Sequence, residues 1–208
     1  MVEKTEAMKE LTYHAVPRNI AEKLKRGQPK EAFTKVYENV TILSAVINNV
    51  CTLSKFMQPQ ELLEIIKRIM EEIDGLIRIY HGCKFESAGD ACIVVTGLPT
   101  PTELHAALIA ELAFDLILAM KNINASTPSL AGGVSIQIGC HSGTVLAGVI
   151  DRGVASYQAY GEDITIAQRL QQEGQVLLVL IGIYKQCSVA AFFVLIHSCT
   201  DCLFLVPF

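Results

Sequence analysis

The sequence predicts a mixed α/β sandwich, in which amphipathic helices lie on a β-sheet. A β-branched run, VTILSAVINNV at 40–50, is short enough to be a central strand. After Pro59, apolar residues recur at helical spacing against a charged face, which indicates an amphipathic helix. A hairpin, a second helix and a further strand pair are predicted to follow. A chain of 208 residues, 51% of them hydrophobic, has room for one such domain with a full core.

The predicted elements begin with a helix, a turn and a short second helix over 3–27, where Pro17 breaks the pattern. The β-branched strand comes next. The helix after Pro59 then carries one apolar stripe, made of Leu62, Ile65, Ile66, Ile69, Met70, Ile73 and Ile77. A hairpin over 83–99 and a helix from about Glu103 to Lys121 follow it.

The last strong strand signal is VSIQIGCHSGTVLAGVI, which follows a Ser/Pro/Gly loop at 125–133. It is predicted to be a strand pair with its turn at His141 to Gly143, so His141 is interpreted as turn chemistry. The order strand, helix, hairpin, helix, strand is that of a ferredoxin-like βαββαβ sandwich, here with additional strands. Because this order serves many functions, the function must be argued from individual residues.

Composition excludes several classes of function. The net charge of −4 and a pI near 5.7 leave no basic footprint, so no nucleic-acid partner is expected. The seven cysteines are odd in number, and four lie in apolar segments, which indicates buried free thiols in a reducing compartment. The lone C-x-x-C at Cys199 and Cys202 is weak evidence for zinc. The charged start MVEKTEAMKE does not resemble a secretory signal, so a cytoplasmic location is expected.

Four segments carry a family resemblance, and they agree with the family in order and spacing. They are YENVTIL, KFESAGDACIVVTGLP, IQIGCHSGTVLAGVI and YGEDITIAQRLQQEG. Together they resemble the catalytic domain of class III nucleotide cyclases over roughly 37–175, and guanylate cyclases most closely. Residues 1–36 resemble the linker helix and lead-in of that family, and 176–208 form a divergent apolar tail.

The resemblance implies a dimer with nucleotide sites at the subunit interface. Each site would take metal-binding carboxylates from one chain, and base-reading and transition-state groups from the other. The reaction would be attack of the ribose 3′-hydroxyl of GTP on the α-phosphate, which releases pyrophosphate and forms cyclic GMP. The family holds two divalent ions, Mg²⁺ or Mn²⁺, between two acids, and the ions activate the hydroxyl and neutralise phosphate charge.

One of the two metal acids is missing in this chain. Alignment through Val40, Thr41 and Ile42 places Val46 where active members have the first acid, whereas Asp90 matches the second. One carboxylate cannot hold a metal pair beside a triphosphate, so this chain alone is expected to bind the ions poorly.

The base-reading positions favour GTP. Glu86 matches the guanine-reading acid, and a carboxylate can accept from both N1–H and the N2 amino group of guanine, whereas adenine N1 is itself an acceptor. The alternative is an exposed strand acid paired with Lys84 or another surface cation. Gln158 stands at the second base position, usually Cys in guanylate cyclases, and its amide can serve either purine.

The transition-state positions lie in EDITIAQRL. Arg169 matches the arginine that stabilises charge on the reacting phosphorus, a role suited to a planar cation that keeps its proton. Thr165, one helical turn earlier, stands where the family has a ribose-orienting Asn. The alternative for Arg169 is a solvated helix arginine.

Two functional hypotheses therefore remain open. In the first, the chain is one half of a guanylate cyclase heterodimer, like the β-type subunits of soluble guanylate cyclases, and its partner subunit carries both metal acids. In the second, it is a catalytically inactive domain that regulates or scaffolds a partner cyclase. Retention of Glu86, Asp90 and Arg169 favours the first hypothesis. The residues at 46, 158 and 165 favour the second.

The apolar tail leaves a question about membranes. No family-like triphosphate lysine is found there, and polar residues interrupt each apolar stretch before it reaches the roughly 18 residues of a spanning helix. A buried strand followed by an altered C-terminus is the preferred interpretation, and membrane attachment is the alternative.

Overall fold

The computed structural model describes residues 16–88, 90–127, 130, 133–151 and 155–173, and the backbone of three short strands at 179–182, 192–196 and 203–207. The helix predicted before Pro17 and the C-x-x-C motif lie outside these residues, as does most of the apolar tail. The division of the chain at 36 and 175 stays a prediction.

Five helices and eight strands occur in the described part of the chain. The helices are α1 (Arg18–Lys25), α2 (Val50–Leu53), α3 (Pro59–Ile79), α4 (His105–Ser126) and α5 (Glu162–Glu173), and a 3-10 turn covers Lys30–Phe33. The strands are β1 (Lys35–Asn48), β2 (Cys83–Ala88), β3 (Ala91–Thr96), β4 (Ser135–Asp151), β5 (Ala155–Tyr160), β6 (Val179–Gly182), β7 (Phe192–Ile196) and β8 (Leu203–Pro207).

The sheet has the order β2-β3-β1-β4-β6-β7-β8, and β5 pairs with the far half of β4. Strands β2, β3, β1 and β4 are antiparallel neighbours, whereas β6 runs parallel to β4. With α3 between β1 and β2, and α4 between β3 and β4, this is the ferredoxin-like βαββαβ arrangement that the order of elements predicted.

Each face of the sheet is covered by a different pair of helices. Helices α3 and α4 pack on one face through isoleucines and leucines such as Ile69, Ile73, Leu112 and Leu116, all at most 1% exposed. Helices α1 and α5 cover part of the other face. Alternate residues of β1 therefore enter two different cores, because successive side chains of a strand point to opposite faces.

The predicted turn at His141 to Gly143 is wrong. These residues lie in the middle of β4, a single 17-residue strand that pairs with β1 from Ser135 to Ala147. The segment contains no Asn-Gly or Asp-Gly pair and no proline, and β1 supplies a long enough partner to keep the strand extended. His141 is a buried strand residue, and its interpretation as turn chemistry is corrected accordingly.

Other boundaries differ by a few residues. The first strand begins at Lys35 rather than near Val40, with a register shift between Tyr37 and Val40, and α4 runs to Ser126 rather than Lys121. Among the described residues, no helix is long and apolar enough to cross a membrane.

Candidate functional site

The two predicted metal positions are neighbours at one end of the β1–β3 ladder. Val46 lies directly opposite Ala91, and Asp90 precedes Ala91 in the hairpin turn. The Asp90 carbonyl accepts a hydrogen bond from the Ile47 amide at 2.8 Å. Asp90 is exposed and Val46 is half-buried, so the predicted acid position in β1 carries a hydrocarbon side chain instead.

The groups beside Val46 on β4 are neutral. Its cross-strand partner is Gln137, whose Oε1 accepts from Asn48 Nδ2 at 3.3 Å and from Gln171 Nε2 at 3.5 Å. Within the described residues, no cluster of three or more His, Cys, Asp or Glu side chains is placed to hold a metal ion. Divalent magnesium prefers several oxygen ligands that include carboxylates. The donor set of the described residues therefore does not fit the metal pair that the family uses.

The two predicted base-reading residues lie on strands that meet through an aromatic contact. The rings of Phe85 on β2 and Tyr157 on β5 stack with centroids 5.5 Å apart, and Glu86 and Gln158 are their immediate neighbours in sequence. The β2–β3 register shifts between Lys84 and Ser87, so Glu86 lies at a β-bulge. Bulges often occur beside functional sites because they redirect the strand.

Lys84 has a partner of its own. Its Nζ lies 2.7 Å from Asp74 Oδ1 on α3, and both side chains are partly buried. The alternative that pairs Glu86 with Lys84 must therefore compete with this existing ion pair. Gln158 is half-buried, and its Nε2 donates to Ser156 Oγ at 3.4 Å.

Both predicted transition-state residues lie on the exposed side of α5. Thr165 and Arg169 are exposed, whereas Ile164, Ala167 and Gln171 are buried against the sheet. Within the described part of the chain, Arg169 has no ion-pair partner. An unengaged guanidinium on a surface helix is available to a ligand or a second chain.

Sequence reasoning missed a buried polar contact at the start of α5. His141 Nε2 lies 2.9 Å from Asp163 Oδ1, and the Thr144 amide donates to Asp163 Oδ2 at 2.6 Å. The available signal was a polar residue, His141, in a long apolar run without turn residues, together with an acid in the first turn of a predicted helix.

The three cysteines whose side chains the structure describes are not placed to act as nucleophiles. Cys83, Cys92 and Cys140 are buried free thiols, as their apolar surroundings predicted. Burial raises the pKa of Cys83 to about 12 and that of Cys92 to about 11, and it raises the pKa of Cys140 as well. These thiols therefore stay protonated and serve packing.

The fold and this arrangement match one family. Residues 33–186 match the adenylate and guanylate cyclase catalytic domain, so the chain belongs to that family. Soluble guanylate cyclase gcy-31 of Caenorhabditis elegans is 31% identical over 173 residues, which cover 83% of this chain and 24% of that protein. Guanylate cyclase soluble subunit beta-2 of Rattus norvegicus is 28% identical over 164 residues, which cover 79% and 24%. The chain thus spans about a quarter of the length of these relatives.

Solved structures agree with this assignment. The guanylate cyclase domain of RhGC from Catenaria anguillulae, in complex with GTP, is 26% identical with a TM-score of 0.64, covering 71% of this chain and 79% of that one. The non-canonical dimeric guanylyl cyclase domain of RhoGC from Blastocladiella emersonii is 27% identical, also with a TM-score of 0.64, covering 71% and 80%. The predicted resemblance to guanylate cyclases is confirmed, and so is the fold.

Proposed function

We propose that this chain is the half of a guanylate cyclase dimer that reads the base and stabilises the transition state, while a partner subunit supplies both metal acids. In this site Glu86 and Gln158 face the purine, Thr165 orients the ribose and Arg169 meets the charge that develops at the α-phosphate. The 3′-hydroxyl attacks the α-phosphate, and pyrophosphate leaves. The product is cyclic GMP, and we place the reaction in the cytoplasm as part of intracellular signalling.

The proposal rests on a difference between the two metal positions, 46 and 90, and the base-reading and transition-state positions, 86, 158, 165 and 169. At the two metal positions, Val46 pairs with Ala91, the residue after Asp90, and its partner on β4 is the neutral Gln137. By contrast, α5 presents Thr165 and Arg169 outward on one face. A chain that lacks one of the two metal acids but keeps Glu86 and Arg169 is expected to act with a partner that supplies both acids. The GTP complex and the dimer among its structural relatives support both elements of the proposal.

The second candidate is a catalytically inactive domain that regulates or scaffolds a cyclase. Three substitutions favour it: Val46 for the acid, Thr165 for the Asn, and Gln158 for the Cys of guanylate cyclases. The first removes metal binding, whereas the other two exchange one polar group for another. Only an activity measurement on a complete site separates the two candidates.

A complementation experiment supplies such a site from this sequence alone. The native chain, which has Arg169 but lacks the metal acid, is mixed with a metal-donor chain that carries Val46→Asp and Arg169→Ala. Each homodimer lacks one essential group, whereas the mixed dimer holds one site with every group. We expect Mn²⁺-dependent formation of cyclic GMP from GTP by the mixture, and none above background by the native chain or the metal-donor chain alone.

Two checks make a negative result informative. Size-exclusion chromatography of differently tagged chains must show the mixed dimer, and Mn²⁺ titration followed by electron paramagnetic resonance must show binding by the metal-donor chain. If both hold and the mixture still makes no cyclic GMP, the catalytic proposal fails and the regulatory candidate replaces it. Robust turnover by the native chain alone would also contradict the proposal.

A further inference from the structure

We propose that Asp163 is a positioning residue, which fixes the start of α5 on β4 and so sets where Thr165 and Arg169 stand. This inference rests on the proposed function, because it assigns α5 the task of presenting those two side chains. Asp163 itself touches neither the nucleotide nor the partner in this proposal. It acts through the helix whose first turn it occupies.

The contacts of Asp163 tie the helix to the middle of the sheet. A carboxylate only accepts, so the His141 Nε2–H donates to Oδ1 at 2.9 Å, and the Thr144 amide donates to Oδ2 at 2.6 Å. The two donors are three residues apart on one rigid strand. Only 6% of the His141 side chain and 20% of the Asp163 side chain are exposed, so this hydrogen bond is largely shielded from water. Both carboxylate oxygens are thereby held, and the carboxylate cannot rotate without losing a bond.

Two glycines of β4, Gly139 and Gly143, let α5 approach the strand closely. A Cβ at Gly143 would overlap the Asp163 carboxylate, and a Cβ at Gly139 would overlap the backbone of Ala167 and Gln171. The helix is therefore seated at its first turn by polar bonds and further along by direct backbone contact. Arg169 lies between Ala167 and Gln171 in sequence, so a tilt or shift of the helix start moves its guanidinium.

Position matters more for Arg169 than for a buried side chain. The Arg169 side chain is exposed and has no ion-pair partner within the described residues. The position of the helix backbone therefore determines the point from which this side chain extends. Misplacement of a catalytic group by about 1 Å can cost on the order of 100-fold in rate. Loss of the Asp163 contacts is therefore expected to lower kcat while leaving KM nearly unchanged.

The test places Asp163→Ala in one chain of the mixed dimer at a time. In the native chain, which supplies Arg169, the variant is expected to lower kcat about tenfold or more, with KM within about twofold. In the metal-donor chain, whose own α5 already lacks the arginine, the same variant is expected to change kcat less than about twofold. A purely structural role would lower activity equally from either chain.

Two further variants control for other effects. Glu162→Ala removes the neighbouring acid of the same helical turn, which is exposed, so it tests the interaction with the helix dipole without touching β4. It is expected to leave kcat nearly unchanged. Asp163→Asn is expected to retain most of the activity, because an amide can accept from the Thr144 amide and donate to the His141 ring in its other tautomer.

Amide hydrogen exchange provides a readout that needs no turnover. In Asp163→Ala the amides of 165–171 are expected to exchange about tenfold faster than in the native chain, while Glu162→Ala changes them little. If the mixed dimer is inactive but exchange accelerates as described, the proposed function fails and the seating of α5 by Asp163 stands. Unchanged exchange, or equal loss of kcat from either chain, overturns the inference.

If Asp163→Ala does not fold, Asp163→Glu takes its place. It keeps the charge at the helix start, but the extra methylene has no room beside Gly143. Asp163→Glu is expected to lower kcat when it is placed in the native chain, and to change kcat little when it is placed in the metal-donor chain. Full activity of a folded Asp163→Glu native chain would overturn the inference.

Discussion

A carboxylate discriminates between purines by what each base donates to it. Guanine offers N1–H and N2–H₂ side by side, whereas adenine N1 is an acceptor and leaves the carboxylate unpaired. Glu86, at the bulge of β2, is the residue to which this argument applies. Gln158 adds little selectivity, since an amide both donates and accepts.

Reversing the charge at position 86 should therefore erode the preference for guanine. In calorimetric titrations of the mixed dimer, we expect non-hydrolysable GTP analogues to bind more tightly than ATP analogues, and Glu86→Lys to reduce the difference about tenfold or more. Glu103→Lys, at an exposed acid before α4, makes the same change of charge elsewhere and should leave the ratio intact. Equal affinities for both purines in the unmutated dimer would refute the assignment of Glu86.

A second residue-level prediction concerns His105, at the first position of α4. Its Nδ1 lies 2.7 Å from Thr41 Oγ1, which lies 2.7 Å from Ser142 Oγ, and desolvation lowers the pKa of His105. A histidine whose pKa is lower in the folded state binds its proton more readily when unfolded. The stability it contributes is thus present above about pH 6.5 and is lost as the pH falls below that value.

Thermal unfolding measured between pH 7.5 and 5.5 tests whether stability falls with pH as His105 predicts. The native chain should lose stability towards pH 5.5, and His105→Asn, which keeps an acceptor near Thr41 without titrating in this range, should lose less. Parallel curves for the two proteins would show that His105 does not cause the pH dependence.

The seating of α5 on β4 depends on the absence of a side chain at Gly139. A methyl group there would collide with the backbone of Ala167 and Gln171, which cannot rotate away as a flexible side chain could. The same substitution at Gly75 in α3 meets its nearest atom, on Arg78, only at 4.0 Å. The two glycines thus have opposite roles, although both lie in regular secondary structure.

Alanine at these positions should change stability in opposite directions. Gly139→Ala is expected to cost about 1–3 kcal/mol by overpacking, whereas Gly75→Ala should stabilise the protein by about 0.5–1 kcal/mol through helix propensity. Urea denaturation of the two variants measures both values. A Gly139→Ala protein as stable as the native chain would mean that α5 can shift away from β4 at little cost.

The sequence predicted the two long helices α3 and α4 and the hairpin well because their signals are local. The apolar stripe after Pro59 indicates one buried helix face directly, and the structure has a helix over the same segment, Pro59–Ile79. The turn proposed at His141 failed for the opposite reason, because β4 is kept extended by pairing with β1, more than 80 residues earlier in the chain. Pairing between distant segments leaves little trace in a short window.

The candidate site likewise combines positions that local motifs predict with contacts that depend on distant segments of the chain. Motif spacing predicted that positions 46 and 90 are neighbours, and Val46 does pair with Ala91, the residue after Asp90, but the metal roles of these positions stay predictions. The roles of Glu86, Gln158, Thr165 and Arg169 stay predictions. The contacts of Asp163 could not be predicted, since they depend on how closely α5 approaches two glycines of β4.

For the molecule as a whole, we propose that two unlike chains complete one site. The part of this chain that the structure describes lacks the donor set for a metal pair. We therefore expect its activity to depend on which chain faces it across the dimer. A homodimer of this chain would have Val46 at both of the proposed metal sites.

The most direct measurement is the effect of Arg169→Ala, introduced into the native chain of the mixed dimer. We expect kcat to fall by about 100-fold or more with little change in KM, because the guanidinium meets charge that develops only as the 3′-oxygen attacks. Arg78→Ala, at an exposed arginine near the end of α3, is the matched control and should leave kcat unchanged. If the Arg169→Ala dimer stays assembled and turns over GTP at the parent rate, this chain has no catalytic role.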